Sequence, residues 1–284
     1  MKDVLVFSHM MKTAGTALIK HLIQHYGSKV LYPESGQLII DKSYNNEQLK
    51  IDFNKKNGNV QVLVGHPIRP HLDLDIPRYN LRWFTFVRDP QKRYLSHYFY
   101  VYNYKNGLSN HHRFKGKIEN DSIVEWEKID KCSNYQCKFL SGEANAQKAI
   151  DILEKKFEWV GLTEEYDDAI QSFKSHFKLD NLYVSNKITN PSSASQDYKQ
   201  KVKEKYADFI ESMNKEDQIL YNYVKDNIWP RFKNETLENT SRNQKSVLIR
   251  NINMADFQVD KYFKFNKTKI TKKNIIRFYK RWYQ

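Results

Sequence analysis

Lys12, Thr13, Gly15 and Thr16 crowd into one short turn, after the apolar run Val4-Leu5-Val6-Phe7 and before Leu18, Ile19, Leu22, Ile23 and Tyr26 at helical spacing. Strand, tight turn and helix follow in that order. The first N–H groups of a helix lack intrahelical partners, and the helix dipole adds partial positive charge there. A lysine and two hydroxyls in the same turn complete a cradle for a phosphate-like anion. A second set stands at Arg88-Asp89-Pro90, where the apolar run Leu81–Val87 ends. Asp89 suits a helix N-cap and Pro90 its first turn, so a helix is predicted from there through about Tyr104, with Ser96 about two turns in. A guanidinium fork with a hydroxyl is sound chemistry for a terminal phosphate monoester. His66 ends a third run, Val62-Leu63-Val64-Gly65. An imidazole with an ordinary pKa of about 6.5 accepts a proton at neutral pH.

The elements that must carry these groups alternate along the chain. Strands are predicted at about 3–8, 60–65, 82–87, 157–161 and 181–185, with helical or loop segments between them. That order implies an α/β fold with a central parallel sheet of about five strands flanked by helices. In open sheets of this kind ligands bind beyond the carboxyl ends of the strands. Lys12, His66, Arg88, Thr163 and Asn186 all fall just past such ends. One site at one edge of the sheet is expected.

Spacing excludes the commonest phosphate loop. A Walker A loop places a glycine directly before its lysine, but Met11 precedes Lys12 and no glycine occurs before Gly15. The order Lys12-Thr13-Ala14-Gly15-Thr16 instead resembles the 5′-phosphosulfate loop of sulfotransferases, P-K-T-G-G-T, with Met11 and Ala14 replacing the Pro and the first Gly. Arg88-Asp89-Pro90-Gln91-Lys92-Arg93-Tyr94-Leu95-Ser96-His97-Tyr98 resembles their 3′-phosphate signature, R-D-P-x-x-R-x-x-S-x-Y. Gly65-His66, the segment Asn134–Gly142 (N-x-Q-x-x-x-L-x-G) and Val160–Asp167 (V-G-x-T-E-x-x-D) are similar to elements of the heparan-sulfate 2-O-sulfotransferase-like group. Asn214–Tyr221 matches an N-x-x-D-x-x-L-Y helix. The resemblance runs from about residue 3 to residue 225.

The resemblance implies a P-loop-NTPase-like sulfotransferase fold and 3′-phosphoadenosine 5′-phosphosulfate as donor co-substrate, with no metal. Lys12, Thr13, Ala14, Gly15, Thr16 and Ala17 would hold the 5′-phosphate end, and Arg88 and Ser96 the 3′-phosphate. Lys12 and His66 would be catalytic, the lysine neutralising the leaving oxygen and the histidine serving as base. A second reading of His66 is a cap for the irregular turn at Pro67 and Pro70, with His71 as reserve base. His9 reads as structural or as a donor contact. Asn134, Gln136 and Lys138 would line an acceptor cleft, and Glu164 and Glu165 either orient a partner or pair structurally. Tyr98, Phe99 and Tyr102 either stack on sugar rings or form core. The acceptor is a hydroxyl, expected first on a carbohydrate, then on a small alcohol or a protein tyrosine. The alternatives are a P-loop kinase using ATP and magnesium, and a non-catalytic polyanion-binding protein.

Charge and cysteines bound the rest. The 284 residues carry a net charge of +14, and residues 241–284 alone hold twelve Lys/Arg against Asp256 and Asp260. A sulfotransferase domain at 1–235 is expected, with a basic C-terminal extension at 236–284. The extension reads either as a helix packed on the domain or as a docking surface for an acidic polymer or an anionic membrane. No specific nucleic-acid partner is expected. Asn110-His111-His112 reads as an exposed loop. Cys132 and Cys137 stand as C-x4-C with no second pair, which suits neither a zinc site nor a disulfide framework, although a local bridge between them is a second reading. No apolar stretch approaches the roughly 20 residues of a membrane span, and the chain opens directly in a strand. A cytoplasmic location is therefore expected.

Overall fold

The computed structural model describes residues 1–33, 45–103, 122–184 and 194–234. In chain order the elements are β1 (Lys2–Ser8), α1 (Gly15–Tyr26), β2 (Val30–Leu31), α2 (Asn46–Lys55), β3 (Val62–Gly65), β4 (Tyr79–Val87) and α3 (Pro90–Asn103). They continue with α4 (Ile123–Asp130), α5 (Tyr135–Ser141), α6 (Ala146–Lys156), β5 (Phe157–Leu162), α7 (Tyr166–His176), α8 (Gln196–Lys205), α9 (Ala207–Met213) and α10 (Lys215–Tyr223).

The five strands form one all-parallel sheet in the order β2-β3-β1-β4-β5. β1 lies at its centre, with Leu5 opposite Val62 of β3 and Arg82 of β4. The chain leaves β1 toward one side of the sheet and later returns on the other. The loop after β1 therefore stands at the point where the strand order reverses, which is where open α/β sheets bind ligands.

Four of the five predicted strands are present, and one is replaced. Residues 181–184 do not join the sheet: Leu182 is buried, but its N–H bonds to Leu179 O in a turn, and Tyr183 is 46 % exposed. The fifth strand is the two-residue β2, which is too short to leave a periodic signature.

Strand residues alternate between two cores, as the pleat requires. Leu5, Phe7, Val62, Val64, Phe84, Phe86 and Trp159 pack with the apolar stripe of α1 and with α5, α6 and α7. Val4, Val6, Leu63 and Trp83 face the other way, toward Leu49 and Phe53 of α2. A third cluster lies off the sheet, where Tyr94, Tyr98 and Phe99 of α3 meet Trp126 of α4, Val202 of α8 and Ile210 of α9. Tyr98 and Phe99 are thus core residues, which decides against sugar stacking for that pair. Among the described residues, no helix is long and apolar enough to cross a membrane.

Candidate functional site

The loop from His9 to Gly15 is held by its carbonyl groups. His9 O accepts from His66 Nδ1 at 2.7 Å, and Met10 O from the Thr13 hydroxyl at 2.9 Å. Lys12 O accepts from Arg88 Nη1 at 2.8 Å, and Thr13 O from the Thr163 hydroxyl at 3.2 Å. In a trans peptide the C=O and the next N–H point oppositely. Pinning the carbonyls of Lys12 and Thr13 into the protein therefore turns the N–H groups of Thr13 and Ala14 away from it. The backbone φ is positive at Lys12 (67°) and Ala14 (61°) but not at Thr13 or Gly15. Alternation of this kind turns successive N–H groups toward one side, the anion-binding concavity called a nest. It opens onto the N-terminus of α1, where no side chain caps the first turn.

Gly15 is required by close approach. A Cβ there would stand 2.3 Å from His9 Cδ2 and 2.8 Å from Phe7 Cζ. Thr13 departs from its expected role: its side chain is fully buried and its hydroxyl proton is committed to Met10 O. It shapes the loop, and its N–H, not its hydroxyl, is the group left to meet an anion. Ala14 is exposed, Thr16 half-buried and Ala17 buried at the start of α1.

Cations gather beneath this concavity. Arg88 follows β4, and its backbone is clamped by Gln136: the amide oxygen accepts from Arg88 N at 2.9 Å and the amide nitrogen donates to Arg88 O at 2.8 Å. The nearest carboxylate is that of Glu164, 3.9 Å from Arg88 Nε, and Glu164 also accepts from Asp89 N at 3.1 Å. Asp89 caps α3 by accepting from Lys92 N at 2.8 Å. The ammonium of Lys12 rests 4.3 Å from the ring centroid of Tyr100. Burial, together with repulsion from Arg88 and Arg93, lowers the Lys12 pKa to about 8. Burial also lowers Arg88, opposed by Glu164. The cluster is short of negative charge. Ser96 lies on α3, half-buried, in the helix that Asp89 caps.

His66 has its tautomer set by the loop. A carbonyl only accepts, so Nδ1 carries the proton given to His9 O, and the lone pair of the neutral ring is on Nε2. The ring stacks on that of His9, centroids 4.4 Å apart. Burial, followed by electrostatic coupling to His66 and by the charge of Lys12, drives the His9 pKa well below its ordinary value, so His9 is a neutral platform. Nδ1 of His66 thus engages the loop after β1, not the turn that follows His66.

The residues expected at an acceptor cleft each have a structural partner. Gln136 is fully buried and serves Arg88. Asn134 Oδ1 accepts from Glu216 N and Asp217 N at the start of α10, while the Asp217 carboxylate accepts from Gln136 N and Cys137 N at the start of α5. The two helices cap each other. Lys138 Nζ donates to Ser133 Oγ at 3.1 Å. His71 Nδ1 faces Phe139 O and Leu140 O at 3.2 and 3.3 Å, joining its turn to the end of α5, and burial lowers its pKa. That nitrogen holds a structural joint.

Glu165 pairs with Lys233 in a surface ion pair, which supports its structural reading. Both cysteines are free and buried. Cys132 Sγ lies 3.5 Å from His97 Nδ1, and His97 Nε2 lies 3.1 Å from Asp130 Oδ2. These three side chains are the one group among the described residues with metal-ligand potential. Thiol and carboxylate meet different ring nitrogens, an arrangement for a hydrogen-bonded chain and not for one shared cation. Asn186, the 110–112 run, Tyr104 and the extension from 236 lie outside the described residues.

No family model matches the chain, and no curated protein is similar to it at a significant level. The chemistry of the site is therefore the ground on which a function is read.

Proposed function

We propose that the chain is a sulfotransferase that moves a sulfuryl group from 3′-phosphoadenosine 5′-phosphosulfate to an acceptor hydroxyl, on a carbohydrate in the first instance. The observation that carries this reading is the loop after β1. Its carbonyls at residues 9, 10, 12 and 13 each accept a side-chain donor, the N–H groups of Thr13 and Ala14 are turned outward, and Lys12 and Arg88 stand beside it with too little counter-charge.

Sulfuryl transfer is an in-line displacement with a loose transition state, so positioning and charge stabilisation dominate. The S–O bond to the 5′-phosphate breaks as the acceptor oxygen bonds to sulfur. Negative charge grows on the departing phosphate oxygen, where Lys12 and the loop N–H groups oppose it. Arg88 and Ser96 bind the 3′-phosphate, which distinguishes this donor from simple adenosine phosphosulfate. The acceptor proton passes to Nε2 of His66, the nitrogen that the His9 carbonyl leaves basic. The 3′,5′-bisphosphate and the sulfate ester leave.

Lys12→Ala and Arg88→Ala are expected to abolish donor binding, whereas His66→Ala keeps donor binding and lowers turnover about 10²–10⁴-fold. The check is equilibrium binding of the bisphosphate alongside turnover with a carbohydrate acceptor panel. Normal turnover by His66→Ala would remove the base from this mechanism.

A further inference from the structure

Arg93 lies one turn into α3, between Arg88 and Ser96 in sequence, and its side chain is fully buried. Its guanidinium makes one hydrogen bond, from Nη2 to Cys132 O at 3.0 Å, and rests 4.6 Å from the ring centroid of Tyr135. Nε and Nη1 are buried without a hydrogen-bond partner. Arginine does not lose its proton in proteins, so this is a permanent buried cation. Five buried or half-buried carboxylates stand in the region, and each has another partner; Asp89, beside Arg88, caps α3. Glu164 serves Arg88 and Asp89 N, and Asp217 caps α5, where the charge of Arg93 opposes the effect of burial on its carboxyl without a direct ion pair. Asp130 faces His97, and Glu127 accepts from Tyr94 and from the backbone of Cys132 and Ser133. Among the described residues none forms an ion pair with Arg93.

A purely structural purpose accounts poorly for such a group. Apolar replacements of buried ionic groups are often neutral or stabilising, so an unpaired buried charge that merely packs is a poor choice for packing. The Tyr135 ring links it to the loop, because the Tyr135 hydroxyl accepts from Met11 N at 3.5 Å. We infer that Arg93 is a third cation of the anion site, joined to the loop through Tyr135, so that the cluster stays short of negative charge until a multiply charged anion completes it. On the reading above that anion is the donor's phosphates. Arg93 is a positioning residue: it acts through Lys12 and does not touch the ligand.

The charged and titratable groups around Lys12 define what Arg93 adds. His9 on its own segment is neutral, and His66 stacks on His9 from the end of β3. Arg88 comes from the end of β4, balanced in part by Glu164 beyond β5. α3 contributes Arg93, His97 and Tyr100, and α5 contributes Tyr135. Repulsion from Arg88 and Arg93 is among the causes that lower Lys12.

The test is an NMR titration of the full, ligand-free chain labelled at lysine Cε, in wild type, Arg93→Lys, Arg93→Met and Arg93→Gln. Lys12 should titrate near 8 in wild type and close to that in Arg93→Lys. In Arg93→Met and Arg93→Gln its midpoint should rise by on the order of one unit, with bisphosphate affinity at neutral pH about tenfold weaker. Lysine cannot reproduce the guanidinium hydrogen bond and stacking, so a structural role would make Arg93→Lys as damaging as Arg93→Met. That equality would overturn the inference, as would an unshifted Lys12 in either folded variant. An ordinary lysine midpoint for Lys12 in the wild type would overturn it whatever the variants do. A Lys12 that responds to Arg93 in a protein that ignores the bisphosphate would sustain the inference and defeat only the choice of donor.

Discussion

Single residues in the β1–α1 loop carry conflicts that a site explains and packing does not. Ala14 occupies a left-handed conformation, φ 61°, at the position where the resembling sulfotransferase loops have glycine. Left-handed backbone costs an L-residue about 1–2 kcal/mol, offset in part by the greater unfolded freedom of glycine. Ala14→Gly should therefore raise unfolding stability by about 0.5–1 kcal/mol, read as a higher urea midpoint at unchanged slope. A lower midpoint would show that the strain is not there. Lys12 conflicts with folding in another way. It releases its proton near pH 8 when folded but only near the ordinary lysine value of about 10.4 when unfolded. The unfolded chain thus binds more protons between those values, and stability rises with pH across that window. Below pH 8 the folded protein holds a buried ammonium whose cost an anion would relieve. The types of these residues were legible in the sequence. Their conformations were not, because φ at Ala14 and the pKa of Lys12 are set by groups from four other elements.

At the scale of elements, the site depends on two helices that cap one another. Neither α5 nor α10 has a side-chain cap of its own: Asp217 supplies the cap for α5, and Asn134 that for α10. Gln136, in the first turn of α5, then clamps the backbone of Arg88. Asp217→Ala removes two acceptors from buried N–H groups and should cost about 2–3 kcal/mol, measured by denaturant unfolding. Bisphosphate affinity should fall with it, since Arg88 loses its clamp. A variant within about 0.5 kcal/mol of wild type would mean that α5 is held otherwise. The Asn134–Gly142 and Asn214–Tyr221 segments were legible as motifs, yet the structural pairings of Asn134 and Gln136 were not. Their partners lie 48 to 83 positions away, and local spacing does not report such distant pairings. The same limit hid Arg93, which stands in plain view in the 3′-phosphate-like string but shows its isolation only once α3 is packed. Helix α3 was read nearly to its end because Asp89 and Pro90 mark its start chemically, whereas β2 was missed because two residues have no period.

At the scale of the molecule, the parallel sheet brings residues 12, 66, 88 and 163 to one edge, as their positions just past apolar runs had implied. β1 is central and is flanked by β3 and β4, so the loop after it receives His66 from one neighbour and Arg88 from the other. Thr163 reaches in from the end of β5. Three strands besides β1 thus fix the six-residue loop 9–14. The central claim is that this concavity is built for a nucleoside bisphosphate. The most direct measurement is calorimetric titration of the full chain with 3′-phosphoadenosine 5′-phosphate, without magnesium, at about pH 7 and about pH 9, beside ATP. The account predicts that the bisphosphate binds more tightly than ATP, and more weakly at the higher pH with uptake of a proton by Lys12. A folded protein that leaves the bisphosphate unbound, or that prefers ATP and needs magnesium to hold it, would contradict the account.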